Sequence, residues 1–234
     1  MIGFNCRTMK TINKTKNIII KKMTLTLKIE RITNFVKKST IIFDESHNHE
    51  HANAVLKNAL DICKSDYPNI IDKEIVTACA LLHDVCDHKY PEAISRSELE
   101  NFIGSEFCSE KKTRILSIID SVSFSKQDKS SETTEERMNS VSSETTEDID
   151  SLHLRIIRDA DRIEALGEIG IRRCEQFIRR IGGTIPDDVV QHCHDKLLRL
   201  YTEFFIITKR GREIALPLHE YIENYVATTS KAPQ

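Results

Sequence analysis

Apolar residues recur at helical spacing along most of the chain, and no stretch alternates between apolar and polar positions as a half-buried strand would. In the first half, the apolar positions with this spacing are Leu25, Leu27, Ile29, Ile32, Val36, Val55, Ala59, Ile62, Cys63, Ile75, Ala78, Cys79, Leu82, Leu99, Phe102, Ile103, Ile115, Ile118, Ile119 and Val122. In the second half they are Ile156, Ile157, Ile163, Leu166, Ile169, Val189, Val190, Leu197, Leu200, Phe204, Ile214, Leu218, Tyr221, Ile222 and Tyr225. The pattern predicts an all-α domain, and 234 residues suffice for one substantial core.

Polar residues mark the starts of the earlier helices. Asp72 precedes the third apolar segment and can accept hydrogen bonds from the first backbone N–H groups of a helix. Ser95 or Ser97 is expected to begin the fourth helix in the same way. The fifth is predicted over 110–124.

Proline and glycine divide the second half of the chain. One long helix is predicted from Leu152 to Ile171. Pro186 is expected to begin the next helix, because its fixed backbone angle suits a first turn, and this helix runs to Phe204. Gly211 then separates it from the last helix.

A polar insert interrupts the helical pattern. Two nearly identical strings, SSETTEE at 130–136 and SSETTED at 142–148, lie in a low-complexity acidic segment at about 127–149. Such a segment is too polar to bury itself, and we expect a mobile surface loop. The alternative is a phosphorylation or docking segment.

The expected domain organisation is a single helical domain over 23–226. Residues 1–22 are predicted to be a disordered basic tail, with the alternative that they precede a true start at Met23. Residues 227–234 are expected to be a flexible tail. The oligomeric state does not follow from the sequence.

The composition of the chain argues against two classes of binding partner, nucleic-acid polymers and membranes. The formal net charge is only −2, so nothing global indicates a nucleic-acid polymer. No apolar run approaches the roughly 20 residues needed to cross a bilayer, so no membrane partner is expected. The seven cysteines form no CxxC pair, which is typical of a reducing compartment. We therefore expect a cytoplasmic protein, with a nuclear location left open.

Histidines and aspartates cluster in three separated segments. These are HNHEH at 47–51, LLHDVCDHK at 81–89 and IIRDADRIEALG at 156–167. They supply four side chains that can close around one divalent ion: His51, His83, Asp84 and Asp161. Imidazole and carboxylate groups suit several divalent metals. Each residue taken singly could instead be an ordinary core histidine or a salt-bridged aspartate.

The adjacent pair His83 and Asp84 restricts where an ion could lie. On a helix the two side chains point about 100° apart, so both reach one ion only if it lies between their directions near a helix end. Pro91 and the polar residues before it are consistent with the helix ending there. The spacing therefore permits one shared ion.

These segments resemble the HD-domain metal-dependent phosphohydrolases, whose hallmark is His, then His-Asp, then a distant Asp on a helical bundle. The likeness covers about Asp44 to Tyr225 and includes Ser46-His47, Ala80 to Asp84 with Asp87, Ser123 to Lys126, Asp159 to Arg162, Gly167 through Gly170-Ile171, Thr208 and Gly211 to Ala215. It is greatest for the branch of bacterial HD hydrolases that split nucleoside triphosphates. Asn48, Ala54 and Cys86 depart from that branch, which often has Asp, Arg and Gly there.

The resemblance implies an HD-domain helical bundle that holds one divalent ion, whether Mn, Co, Mg, Fe, Ni or Zn. The implied reaction is hydrolysis of a phosphate ester or anhydride of a nucleotide or related small phosphate by a metal-activated water. Other HD branches hydrolyse alarmone-type nucleotides or nucleoside monophosphates. The alternative from another class is a catalytically idle HD-fold module that binds a nucleotide or a protein.

Further residues are candidates for the reaction itself. Asp87 is expected to orient the water or carry its proton, unless it caps the helix end or pairs with Lys89. His47 is placed on the same helix face as His51, at i and i+4, and is expected to contact a phosphate, with a second metal ion as the alternative. The candidate phosphate-binding cations are Lys89, Lys126 and Arg162.

Other chemistry-bearing residues are predicted to be structural. Surface positions are expected for four histidines: His153, His192, His194 and His219. Asp159 is expected to pair with Arg162 or Arg155.

Overall fold

A computed structural model describes residues 26–44, 47–124, 127, 132–140 and 148–229. Within these ranges every regular element is helical, which confirms the predicted all-α class. The helices are α1 (26–39), α2 (His49–Asp66), α3 (Lys73–Leu82), α4 (Arg96–Glu106), α5 (Ser109–Ser121), α6 (Thr134–Ser140), α7 (Ile149–Glu164), α8 (Gly167–Arg180), α9 (Asp187–His192), α10 (Leu198–Thr202) and α11 (Lys209–Thr229). A π-helical turn, Cys193–Leu197, joins α9 to α10.

The core forms where α2 packs against α3 and α7. Helix α3 is the most enclosed, because every residue from Ile75 to Leu82 is buried. Val55 on α2 and Ile156 on α7 are fully buried beside it. This packing brings together the start of α2, the end of α3 and the later part of α7, which carry the predicted metal ligands.

Side-chain caps begin two of the three helices that position the predicted ligands, α2 and α3. Asp72 Oδ1 accepts hydrogen bonds from the backbone N–H groups of Glu74 and Ile75, as the sequence predicts. Asn48 Oδ1 accepts from Glu50 and His51 in the same way at the start of α2. Helix α4 begins after Ser95, which forms reciprocal hydrogen bonds with Glu98. Helix α5 ends at Ser121, short of the expected end at residue 124.

The expected single helix from Leu152 to Ile171 is wrong, because it is broken between α7 and α8. Gly167 has φ of +68°, in the left-handed region that favours glycine. A Cβ at Gly167 would lie 2.9 Å from a methyl carbon of Leu218. The chain therefore turns here, and α8 leaves in a new direction.

The C-terminal boundaries also differ from the prediction. The helix expected to reach Phe204 ends at Thr202, and Phe204 itself has φ of 54°. Gly211 lies inside α11 and not before it. Helix α11 continues to Thr229, so the flexible tail expected from residue 227 is helical over its first residues.

The acidic insert is not wholly a loop, because it contains α6. Arg137 on α6 is buried; its Nε donates to the backbone oxygen of Glu203, and its guanidinium lies over the ring of Phe205 at 4.1 Å. Residues 128–131 and 141–147 lie outside the described residues, as do 1–25 and 230–234 and the choice between Met1 and Met23. No helix in the described ranges is both long and apolar enough to cross a membrane.

Candidate metal centre

Three helices place two imidazoles and two carboxylates around one point. His51 lies in the first turn of α2, His83 and Asp84 follow α3, and Asp161 lies on α7. His51 Nε2 is 3.3 Å from Asp161 Oδ1 and 3.5 Å from Asp84 Oδ2. His83 Nε2 is 3.0 Å from Asp84 Oδ2 and 3.6 Å from Asp161 Oδ1. The structure therefore brings all four predicted ligands together.

The protonation of His83 follows from its backbone contact. His83 Nδ1 is 2.9 Å from the carbonyl oxygen of Ala80, which can only accept, so we assign the proton of the neutral ring to Nδ1. Nε2 then carries a lone pair, and it is buried without a hydrogen-bond partner among the described residues. A lone pair that faces carboxylate oxygens is repelled unless a proton or a metal ion lies between them, and a set of two imidazoles and two carboxylates suits a divalent metal ion.

Electrostatics also favour positive charge at this point. Burial opposes protonation of His83, but the negative charges of Asp84 and Asp161 outweigh it and raise the pKa of His83 well above its ordinary value. Burial likewise opposes ionisation of Asp161, yet the nearby imidazoles of His51 and His83 lower the pKa of Asp161. The cluster thus stabilises two carboxylates and whatever cation lies between them.

The cluster is open on its carboxylate side. The His51 and His83 side chains are only 5% and 2% exposed, whereas those of Asp84 and Asp161 are 25% and 30% exposed. The imidazoles therefore form the floor of the centre. Water and a substrate can reach it past the carboxylates.

His47 lies beside the cluster but not on α2. Helix α2 begins at His49, so the expected i, i+4 relationship with His51 on one helix is wrong. His47 Nε2 is 3.2 Å from Lys89 Nζ, which can only donate, so we assign the ring proton to Nδ1, 3.0 Å from the Tyr90 hydroxyl. Burial is the largest influence on the pKa of His47 and lowers it.

Asp87 follows a turn after α3 and contacts its neighbours. Its Oδ1 accepts a hydrogen bond from the backbone N–H of Lys89, and its Oδ2 is 3.2 Å from Lys89 Nζ. Asp87 Oδ2 is also 3.5 Å from His47 Nε2. The salt bridge with Lys89, which was the alternative to a catalytic role, is thus present in the structure.

The two candidate phosphate-binding cations that the structure describes, Arg162 and Lys89, lie in different surroundings. Arg162 is buried and donates to the backbone oxygen of Phe205 and to Gln127 Oε1, so its guanidinium is occupied in the core. This contradicts its predicted phosphate contact. Lys89 lies beside the cluster, and Lys126 lies outside the described residues.

Two histidines predicted at the surface are buried instead. His153 Nε2 accepts a hydrogen bond from the backbone N–H of Asp72 at 3.2 Å, which ties α7 to the start of α3. His219 stacks on Tyr201 with ring centroids 4.9 Å apart. Both lie on apolar helix faces, where a histidine ring can be buried if it contacts a residue of another structural element. His194 is exposed as predicted, and His192 is partly buried.

Among the described residues, Asp159 forms no ion pair with Arg162 or Arg155, which was the expectation. It is fully buried, and its Oδ2 accepts from the backbone N–H groups of Ile207 at 3.0 Å and Thr208 at 2.6 Å. Burial raises the pKa of Asp159 to about 6, although these backbone hydrogen bonds favour the ionised carboxylate and oppose the rise. Asp159 therefore fastens the turn before α11 to α7.

Sequence reasoning missed two residues near the cluster. Tyr90 contacts His47 and stacks on Phe43, with ring centroids 4.0 Å apart. Lys196 lies partly buried in the π-helical turn. Neither residue belongs to a sequence pattern that indicates a functional site. Tyr90 lies beyond the end of a helix, and Lys196 stands among other charged residues.

Comparison with known proteins agrees with this geometry. The family model described as "HD domain" matches residues 48–166. The Bacillus subtilis protein YpgQ is 28% identical over 210 residues, which cover 86% of this chain and 92% of YpgQ. The crystal structure of YpgQ, also determined in complex with ADP, aligns with a TM-score of 0.68 and 25% identity over 89% of this chain and 96% of that one.

A Bacillus thuringiensis HD-superfamily hydrolase shares the fold, with a TM-score of 0.63 and 23% identity over 88% of this chain and 97% of that one. The family match spans His51, His83, Asp84 and Asp161, so it covers every residue of the cluster. The chain belongs to the HD domain family.

Proposed function

We propose that this protein hydrolyses a phosphoanhydride or phosphate ester of a nucleotide, with one divalent ion held by His51, His83, Asp84 and Asp161. The observation that supports this best is the buried His83 Nε2, whose lone pair faces two carboxylates without a hydrogen-bond partner among the described residues. When bound, a divalent ion supplies Lewis acidity, which favours ionisation of water and polarises a phosphoryl oxygen. Mn, Co, Mg, Fe, Ni and Zn all suit this donor set.

The residues beside the cluster have proposed roles in the same reaction. Asp87 orients the attacking water and takes its proton, since its carboxylate is held in place by Lys89. His47 contacts the phosphate, and the Tyr90 hydroxyl fixes its ring. Lys89 adds positive charge on this side, with 53% of its side chain exposed to an incoming anion.

A nucleotide is the favoured substrate because YpgQ has been crystallised with ADP and shares the fold over nearly its whole length. Within the nucleotides we favour a triphosphate, cleaved to a monophosphate and pyrophosphate. This choice rests on the likeness of the segments around His83 and Asp161 to the branch that splits nucleoside triphosphates. The product released identifies the bond that is cut.

The test is phosphate and pyrophosphate release from nucleoside mono-, di- and triphosphates by full-length protein loaded with Mn²⁺, Co²⁺ or Mg²⁺. Asp161→Ala is measured in parallel and is expected to release neither product. Glu220→Ala, which removes an exposed carboxylate on α11, is the matched control and should retain full activity. Nucleotide binding without release by the wild-type protein would instead favour an idle binding module.

A further inference from the structure

Lys196 lies in a segment whose backbone conformation is uncommon in proteins. It belongs to the π-helical turn Cys193–Leu197, whose wider winding is frequent at functional sites. The residues at either end of this turn, Cys193 and Leu197, are buried in the core. The turn therefore fixes the backbone of Lys196 firmly while its side chain is only partly buried.

The ammonium group of Lys196 has no acceptor in the part of the chain that the structure describes. Its contact there is with the ring of Phe124, whose centroid lies 5.4 Å from Nζ. Lys111, another partly buried lysine, is by contrast 2.9 Å from Asp72 Oδ2 and 2.6 Å from Glu74 Oε2. Partial burial of an unpaired cation is costly, and an incoming anion can offset that cost.

Lys196 and the residue that follows Asp161 on α7 lie over the same aromatic ring. Lys196 Nζ is 5.4 Å from the centroid of the Phe124 ring, and the guanidinium of Arg162 is 5.9 Å from it, which places Lys196 near the part of α7 that carries Asp161. Burial is the largest influence on the pKa of Lys196 and lowers it, and the charges of Asp161 and Lys89 also act on that pKa. Arg162 acts on it as well, but the guanidinium of Arg162 donates to the core. Lys89 is held by Asp87 and His47. Of these three cations, only Lys196 has no acceptor among the described residues.

We propose that Lys196 forms a subsite for a second phosphate group of the substrate, next to the group that reacts. This inference rests on the proposed function and narrows it to nucleoside di- and triphosphates. A bound metal ion would offset charge on the reacting phosphoryl group, and a second phosphate beside it brings further negative charge that the ammonium group of Lys196 can offset. Phe124 forms an apolar wall that excludes water from the contact and strengthens it.

The test uses full-length, Mn²⁺-loaded protein and calorimetric titration with ADP and with AMP. Lys196→Met keeps the length of the side chain and removes its charge. We expect it to weaken ADP binding roughly 10- to 100-fold, the loss of one charge-assisted contact, and to weaken AMP binding much less. Lys196→Arg should restore most of the ADP affinity. Lys57→Met, which removes an exposed lysine on α2, should bind as the wild type does.

Several results would overturn the subsite. These are unchanged ADP affinity in Lys196→Met, an equal loss for ADP and AMP, or no ADP binding by the wild-type protein. Tighter Mn²⁺ binding with unchanged ADP affinity would show that Lys196 only balances the charge of Asp161. Phosphate release is measured on the same samples. A wild type that binds ADP through Lys196 but hydrolyses no nucleotide would refute the proposed function and leave the subsite standing.

Discussion

Asp159 and Asp161 lie two residues apart on α7 and serve opposite sides of it. Asp161 Oδ1 is 3.3 Å from His51 Nε2 in the candidate metal centre. Asp159 Oδ2 accepts from the backbone N–H groups of Ile207 and Thr208 in front of α11. One helix thus carries one carboxylate in the candidate metal centre and another that fastens the fold, and substitutions at the two positions should have separable effects.

Asp159→Ala is expected to destabilise the protein by about 2–3 kcal/mol, because two backbone N–H groups lose their acceptor in the interior. Urea unfolding followed by circular dichroism measures this loss. Asp159→Asn retains an oxygen acceptor and should lose less. An unchanged unfolding midpoint in Asp159→Ala would show that this contact does not hold the turn before α11.

Gly211→Ala should destabilise the fold by about 1–3 kcal/mol through overpacking. A Cβ there would overlap Thr208 Oγ1 and lie 3.1 Å from Asp159 Oδ2. Gly104→Ala is the matched control, since a Cβ at Gly104 meets only the flexible end of Lys112, at 3.5 Å. That control should stabilise α4 by about 0.5–1 kcal/mol. Equal effects at both glycines, measured as shifts in the melting temperature, would contradict the packing described.

Stability should fall as the pH drops below about 6.5, in part through His153. Burial lowers the pKa of His153 in the folded protein, so the unfolded chain binds a proton that the folded chain resists. His153→Gln keeps an acceptor for the backbone N–H of Asp72 and cannot titrate. Unfolding free energies measured from pH 7.5 to pH 5 should show a shallower decline in this variant, by at most about 1.4 kcal/mol per pH unit. Identical slopes would exclude the contribution of His153.

Helix α6 should detach when Arg137 is shortened. Arg137 donates to the backbone oxygens of Glu203 and Glu132 and covers Phe205. Limited proteolysis of Arg137→Ala is therefore expected to cleave within residues 127–149 several times faster than in the wild type. Glu135→Ala changes an exposed residue of the same helix and should be cleaved at the wild-type rate. Equal cleavage of both variants would show that Arg137 does not dock the helix.

The spacing of apolar residues predicted the helical class and most helices, because one buried face repeats along each of them. Several predicted helix boundaries were wrong, because they depend on local backbone geometry. The break at Gly167 depends on a left-handed backbone angle, and the π-helical turn at Lys196 depends on packing from both sides. Neither feature changes the apolar period that a sequence displays.

The four cluster residues could be named from the sequence, because His83 and Asp84 are adjacent and the resemblance supplied His51 and Asp161. The residues that surround these four could not be predicted from the sequence. Arg162 stands next to Asp161 in sequence, yet it points into the core, since successive helical residues diverge by about 100°. Contacts between distant segments, such as His153 with the start of α3, require the tertiary fold.

The most direct test of the metal centre is the stoichiometry and affinity of Mn²⁺ binding, measured by calorimetry on metal-stripped protein. One ion per chain is expected, with affinity reduced at least about 100-fold in Asp161→Ala. Asp159→Asn should bind as the wild type does at temperatures where it remains folded. Wild-type protein that binds no ion, or Asp161→Ala that binds as tightly as the wild type, would contradict the assignment of these four residues as metal ligands.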